Sequence, residues 1–151
     1  MNNQDLQEVV EEFETVYYND RLNDYYLNHG IHGEVFKFGN VVVKFSRPDY
    51  DDPKRTKRLG IKAVNEFSIV CDLIALGYDV PEMYLLKSYG DRVALFMEKI
   101  DGRKNRHFGY KILIDQIKED GFIPIDFQCI RERGTERLLL MDFALWWYKD
   151  E

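Results

Sequence analysis

Residues Asn28 to Lys44 read N-H-G-I-H-G-E-V-F-K-F-G-N-V-V-V-K, and the fold turns on how this stretch is understood. Gly30 and Gly33 stand three apart, and Val35 follows two residues later. A short apolar run, a Gly39-Asn40 turn and a second run, Val41-Val42-Val43, end in Lys44. A loop of bare backbone N–H groups, folded over a strand that ends in a cation, suits a polyphosphate. The same residues suit an ordinary β-hairpin with a glycine bend at its mouth, with Lys44 a surface lysine at a strand end. Residues further along the chain decide between the two.

The chain has 151 residues, a net charge of −6, 45% hydrophobic and 15% aromatic residues. That is enough apolar material for one packed domain, which at this length buries roughly two-thirds of its unfolded surface. No apolar run approaches the ~20 residues that cross a bilayer. The start, M-N-N-Q-D-L-Q-E, is polar and acidic, unlike a secretory signal. Cys71 and Cys129 lie 58 apart with no Cys-x-x-Cys spacing, so neither a disulfide framework nor a zinc knuckle is indicated. The expectation is a cytoplasmic protein (host cytoplasm, for a viral or effector protein) with no membrane partner. The acidic balance also argues against a general nucleic-acid binder.

Outward from the opening stretch, Leu6, Val9, Val10, Phe13 and Tyr17 share one face of a helix from about Leu6 to Tyr18, and Asp5 with Glu8 resembles a capping box. Asn19 to Asn28 is a polar turn into the first strand. After the hairpin, Ser46 to Arg58 is a charged loop leading into a helix. Its buried stripe is read as Val64, Phe67, Val70 or Cys71, and Ile74, with Glu66 on the stripe's edge and Gly77 as its stop. Strands are expected at Met83 to Leu86 and Val93 to Met97, the second buried on both faces. The polar bend Glu98-Lys99-Ile100-Asp101-Gly102 follows. A helix over Phe108 to Lys118, with Tyr110, Leu113, Ile114 and Ile117 on one face, stops at Gly121. Strands at Phe122 to Ile130 and Arg137 to Met141 close the chain through a Gly134-Thr135 turn. His29 and His32, three apart beside loop glycines, have no further ligands that would make a metal site. Trp146 and Trp147 read as core or interface anchors.

In this order the motifs resemble the protein-kinase-like fold, in particular small atypical kinases of the Rio and tRNA-modification-complex type. Gly30-x-x-Gly33-x-Val35 is similar to the latter part of a glycine-rich loop, with Asn28 where the first glycine would stand. Lys44 looks like the strand lysine that contacts the α- and β-phosphates, and Glu66 like its helix partner. Met97 to Gly102 resembles the hinge that receives adenine, where Glu98 and Ile100 would offer backbone groups. Gly121 to Asp126 falls where such kinases carry Gly-Ile-Ile-His-Arg-Asp, which makes Asp126 the candidate catalytic aspartate. Asp142-Phe143-Ala144 resembles the metal-binding Asp-Phe-Gly. Pro124 and Ile125 replace the His-Arg. Arg131 stands five residues after Asp126, where the second metal-ligand asparagine belongs, and Gln128 is the nearest amide. An alternative register makes Asp126 the surrogate of that asparagine.

The resemblance implies an α+β protein with a kinase-like N-lobe, an antiparallel sheet plus an αC-type helix, and a truncated C-lobe. One domain would cover residues 1–151, divided into an N-terminal helical extension over 1–26, an N-lobe over 27–101 and a reduced C-lobe over 102–151. It further implies ATP and Mg²⁺ as ligands. Gly30, Gly33, Val35, Lys44, Met97, Glu98 and Ile100 would hold the nucleotide. Asp142 and Gln128 would hold the metal, and Asp126, Lys44 and Glu66 would carry catalysis. Only nine residues follow Asp142. The expectation is therefore a minimal Ser/Thr kinase, with a protein partner or second copy completing the C-lobe, or a pseudokinase serving as an interaction module; an unrelated α+β binding domain in which the motif order is coincidence is the third reading.

Overall fold

The computed structural model describes residues 1–29, 33–104 and 110–149. The protein is α+β, and its strand ladders are antiparallel. Two compact units emerge: Met1–Ala63 with Glu82–Lys99, and Val64–Pro81 with Ile100–Glu151.

The first unit is a sheet with a helix laid on it. Helix α1 (Asn3–Tyr18) begins one turn earlier than the apolar stripe indicates, because Asn2 is its cap. The Asn2 side chain accepts the Asp5 N–H at 2.8 Å, which corrects the expectation that Asp5 itself caps the helix. A 3-10 turn (Leu22–Tyr25) leads into β1 (Tyr26–His29). Then come β2 (Gly33–Phe38), β3 (Val41–Ser46), β4 (Met83–Tyr89) and β5 (Arg92–Glu98), in the spatial order β1-β2-β3-β5-β4. Gly39 opens the two-residue turn between β2 and β3 with a φ of 63°, a conformation that glycine adopts without steric cost. The turn fixes Phe38 opposite Val41 and Phe36 opposite Val43. Those four residues, with Phe45, Ala94 and Phe96, form the sheet face that α1 covers. Phe13 is the anchor. Its ring meets Phe38, Phe45, Tyr89 and Phe96 edge to face, at centroid distances of 5.4 to 5.8 Å. Strand β5 is buried along its whole middle, as its unbroken apolar run indicates.

Helix α2 (Pro53–Ala75) gives its start to the first unit and its remainder to the second. Near the start it comes so close to the β4–β5 turn that a Cβ on Gly60 would lie 2.7 Å from the Asp91 carbonyl oxygen. The helix stops at Gly77 (φ 90°), where Tyr78 N–H reaches the Leu73 carbonyl and Gly77 N–H the Ile74 carbonyl, a Schellman ending. The stripe expected on this helix is rotated. Val64, Ile74 and Cys71 are exposed, while Leu59, Glu66, Ile69, Val70 and Leu73 are buried. The true stripe has a carboxylate in its middle, so a count of apolar residues slides around the helix to avoid it.

The second unit contains α3 (Lys111–Glu119) and three short ladders' worth of strand: β6 (Gly102–Lys104), β7 (Phe122–Ile123), β8 (Gln128–Glu132), β9 (Leu138–Met141) and β10 (Trp147–Tyr148). The three-stranded sheet runs β6-β8-β9, and β10 pairs with β7. The Phe108 and Gly109 end of the expected second helix lies outside the described residues. The single strand expected over Phe122 to Ile130 is two strands. Pro124 supplies no donor, and Asp126 takes a left-handed φ of 55°, so no ladder can continue through them. Trp146 is fully buried among Phe122, Phe127 and Phe143, whereas Trp147 is exposed. Tyr148 is tied to α2 by its hydroxyl, 2.5 Å from Asp72 Oδ2 and 2.9 Å from Ser68 Oγ. No helix among the described residues is long and apolar enough to cross a membrane.

Two substitutions test these packing constraints by thermal melting. Phe13→Ala should cost about 3–5 kcal/mol, since it empties a site closed on all sides. Gly102→Ala should cost about 1–3 kcal/mol, because its Cβ would collide with the Arg131 carbonyl of the paired strand.

Candidate functional site

Side chains along a strand alternate between faces, so the face of β3 turned away from α1 carries Val42, Lys44 and Ser46. The register then identifies their neighbours. Val35 is directly opposite Lys44 on β2, Leu95 is opposite Lys44 on β5, and Met97 is opposite Val42. Val35, Lys44 and Met97 therefore share one face, joined by Val42 and Leu95, and that face is the reverse of the one carrying the aromatic core. Lys44 is partly buried on β3 and does not sit loose at the strand's end. An ammonium on such a surface brings positive charge to an apolar bed.

Gly33 opens β2 opposite Ser46, where a Cβ would stand 3.0 Å from the Phe45 carbonyl oxygen. Close approach of the two strands is thus one reason for glycine there. Gly30, Ile31 and His32, the rest of the loop between β1 and β2, lie outside the described residues. At the far end of β5, Glu98 N–H donates to the Glu82 carbonyl at 2.8 Å and Lys99 N–H to the Asn40 carbonyl at 3.1 Å. The Glu98 carboxylate accepts the Glu82 N–H at 3.1 Å. The chain passes from the first unit to the second between Lys99 and Ile100, within the bend that the sequence marks as polar.

In the second unit the hairpin β8–β9 organises the remaining candidates. Gln128 is paired with Met141 at its open end, so Asp126 precedes the first strand by two residues and Asp142 follows the second by one. Both aspartates are exposed and both hold left-handed backbone, with φ of 55° and 57°. Non-glycine residues rarely take this conformation, and where they do the strain tends to serve a site. Gln128 Nε2 donates to Asp126 Oδ2 at 3.0 Å, which orients the amide. Its Oε1 is buried with no hydrogen-bond partner. Two carboxylates and an amide oxygen are hard oxygen donors of the type Mg²⁺ takes. Among the described residues no group of three or more His, Cys, Asp and Glu side chains converges as a metal site, so any ion there would keep several waters.

Glu66 lies on the part of α2 that belongs to the second unit and is 3% exposed. Among the described residues it is the one charged group in the buried set. A carboxylate is kept in such a place only when it is held by partners, because desolvation otherwise expels it.

Two features escape the sequence pattern. Val42 and Leu95 complete the Lys44 face and are found only once the register is known. The strained backbone of Asp126 and Asp142 leaves no compositional trace, since aspartate tolerates that conformation better than most residues.

No model of a known protein family matches the chain, and no curated protein matches it in sequence. The site is therefore interpreted from its own chemistry.

Glycine in place of either strained aspartate should leave the melting temperature of the ligand-free protein unchanged or raise it. Asp142→Val should destabilise the protein by about 1–2 kcal/mol, read as a lower melting temperature, because a β-branched residue fits the left-handed region worst. Equal melting for the glycine and valine variants would remove the strain from the account.

Proposed function

We propose that the chain is a kinase-like nucleotide-binding protein, and that its chemistry is transfer of the ATP γ-phosphate to a Ser or Thr hydroxyl by a minimal protein kinase. The observation that carries this is the shared face of Val35, Val42, Lys44 and Met97 on the five-stranded sheet. An apolar bed with the partly buried Lys44 ammonium, and the exposed Lys37 opposite Val42 on the same face, matches a planar base joined to polyphosphate. The order of parts supports it: a glycine-bearing connection between β1 and β2, the lysine on the third strand, a helix carrying a buried glutamate, and a buried strand running into a polar bend.

On this proposal Lys44 neutralises phosphate charge and Glu66 orients the lysine. Gly30 and Gly33 are the glycines whose backbone N–H groups would meet the phosphates. The Glu98 and Ile100 backbone meets the adenine, and Asp142 with Gln128 holds Mg²⁺. Asp126 accepts the proton of the attacking hydroxyl. Little covalent work falls to the protein in phosphoryl transfer, so positioning and fixed charge supply the rate. A protein partner or a second copy of the chain would complete the surface that receives the substrate.

One observation favours the alternative, a catalytically impaired pseudokinase that serves as an interaction module. Arg131 stands five residues after Asp126, where a second metal-ligand asparagine would be expected, and β8 carries it three residues past Gln128 onto the other face of the strand, so this position offers no oxygen donor to a second Mg²⁺.

Mg²⁺–ATP should raise the melting temperature, by about 2.7 kcal/mol of stabilisation when nucleotide is at a hundred times its Kd. Lys44→Ala and Asp142→Ala should each abolish the rise, and no rise at millimolar nucleotide would sink the proposal. Transfer from γ-labelled ATP separates the two forms: the kinase loses it on Asp126→Ala, and the pseudokinase shows none at the outset.

A further inference from the structure

The three-stranded sheet of the second unit carries a like-charge pair that the nucleotide proposal does not use. Strand β6 sets Arg103 directly opposite Arg131 of β8. Side chains at such positions start about 5 Å apart on the same face, and like charges there are destabilising. Two positions further, past the Gly102–Glu132 pair, the residues are of opposite charge: Arg133 N–H reaches the Asp101 carbonyl at 2.9 Å. No such compensation serves Arg103 and Arg131. Arg131 Nη1 donates to the Glu136 carbonyl at 2.8 Å, a neutral acceptor. Among the described residues neither arginine forms an ion pair with a carboxylate.

A third donor belongs to the same place. The Tyr110 hydroxyl is buried and has no hydrogen-bond partner. Its ring lies against Phe127, and its phenol is within electrostatic reach of Cys129 and Arg131, which alternate onto one face of β8. Burial is the main cause that raises the Tyr110 hydroxyl above its ordinary value, while Arg131 pulls it back, so the phenol remains a donor at neutral pH. A buried hydroxyl without an acceptor is destabilising, so its persistence calls for a partner.

We propose that Arg103, Arg131 and the Tyr110 hydroxyl form a seat for a single phosphate monoester group. Two planar guanidinium forks and one hydroxyl supply the donors that a tetrahedral oxyanion accepts, and the bound charge converts the Arg103–Arg131 repulsion into attraction. The seat is separate from the Asp126–Asp142 end of the hairpin. Arg131 is three residues along β8 from Gln128, roughly 10 Å, and on the opposite face of the strand. Two arginines and one hydroxyl are a donor set for one phosphate. Lys104 points to the other face of β6 and Arg133 is set beside Asp101, so no continuous basic track for a polyanion runs through the described residues.

Calorimetric titration of the full chain with inorganic phosphate and with phosphoserine tests this. Both should bind in the millimolar range. Arg103→Gln should weaken binding about tenfold and Tyr110→Phe about threefold, while Lys54→Ala, an exposed cation elsewhere, leaves it unchanged. Tighter binding of phosphoserine identifies a phosphorylated side chain as the source, and tighter binding of inorganic phosphate identifies the free ion. Either order upholds the seat. Affinity unchanged in Arg103→Gln, or no heat from either probe, would overturn it. So would single-stranded RNA that binds far more tightly than phosphoserine with a steep salt dependence and is lost in Arg103→Gln.

Discussion

Strand β3 must be buried on both faces and still carry an ammonium, and the first unit is arranged around that constraint. Val41, Val43 and Phe45 face the aromatic core under α1; Val42 and Lys44 face the other way. A slip of one residue would exchange the two sets and drive Lys44 into a cluster containing Phe13, Phe36 and Phe96. The two-residue turn at Gly39-Asn40 prevents it by locking the β2–β3 register, and β5 locks it again from the opposite edge. Ser46 closes the strand, with its hydroxyl accepting the Val93 N–H at 2.8 Å. Phe13 and the helix that bears it are then the clamp on the apolar side. The lysine's placement is a consequence of a core that leaves it one face to occupy.

The second unit solves a different problem, which is how a short hairpin presents polar groups at its open end. Strands β8 and β9 are held by a tight turn at Gly134 (φ 90°) and by Leu139 and Leu140 in the core. The backbone turns sharply on leaving the ladder at each side, and an aspartate absorbs each turn. Asp126 and Asp142 are kept in left-handed conformations that glycine would take more easily. Asp20 and Glu136 take the same conformation elsewhere in the chain, so these corners call for a residue that tolerates left-handed backbone.

Much of this was legible in the residues. The stripe of α1, the β2–β3 hairpin with its turn, the buried β5 and the stop at Gly77 all follow from apolar period and glycine chemistry, and all are found. What the sequence conceals has physical causes. The stripe of α2 is hidden because Glu66 occupies its centre, and a buried carboxylate is invisible to any count of apolar residues. Strand β6 was missed because Gly-Arg-Lys has no strand pattern; it forms because Gly102 lets the backbone approach Arg131. The apolar residues on either side of Pro124 mask the break it makes. For the candidate site, the types of residue were legible, but the common face of Val35, Lys44 and Met97 required the register.

The central claim is that Lys44 meets the phosphates of a bound nucleotide. An ATP acyl phosphate delivers its acyl group to an amine held beside the phosphates, and mass spectrometry of the digested protein locates the acylated lysine. The account predicts that Lys44 is acylated ahead of the exposed Lys54 and Lys57, and that excess Mg²⁺–ATP suppresses labelling at Lys44 alone. Labelling spread over the exposed lysines and indifferent to ATP would contradict it.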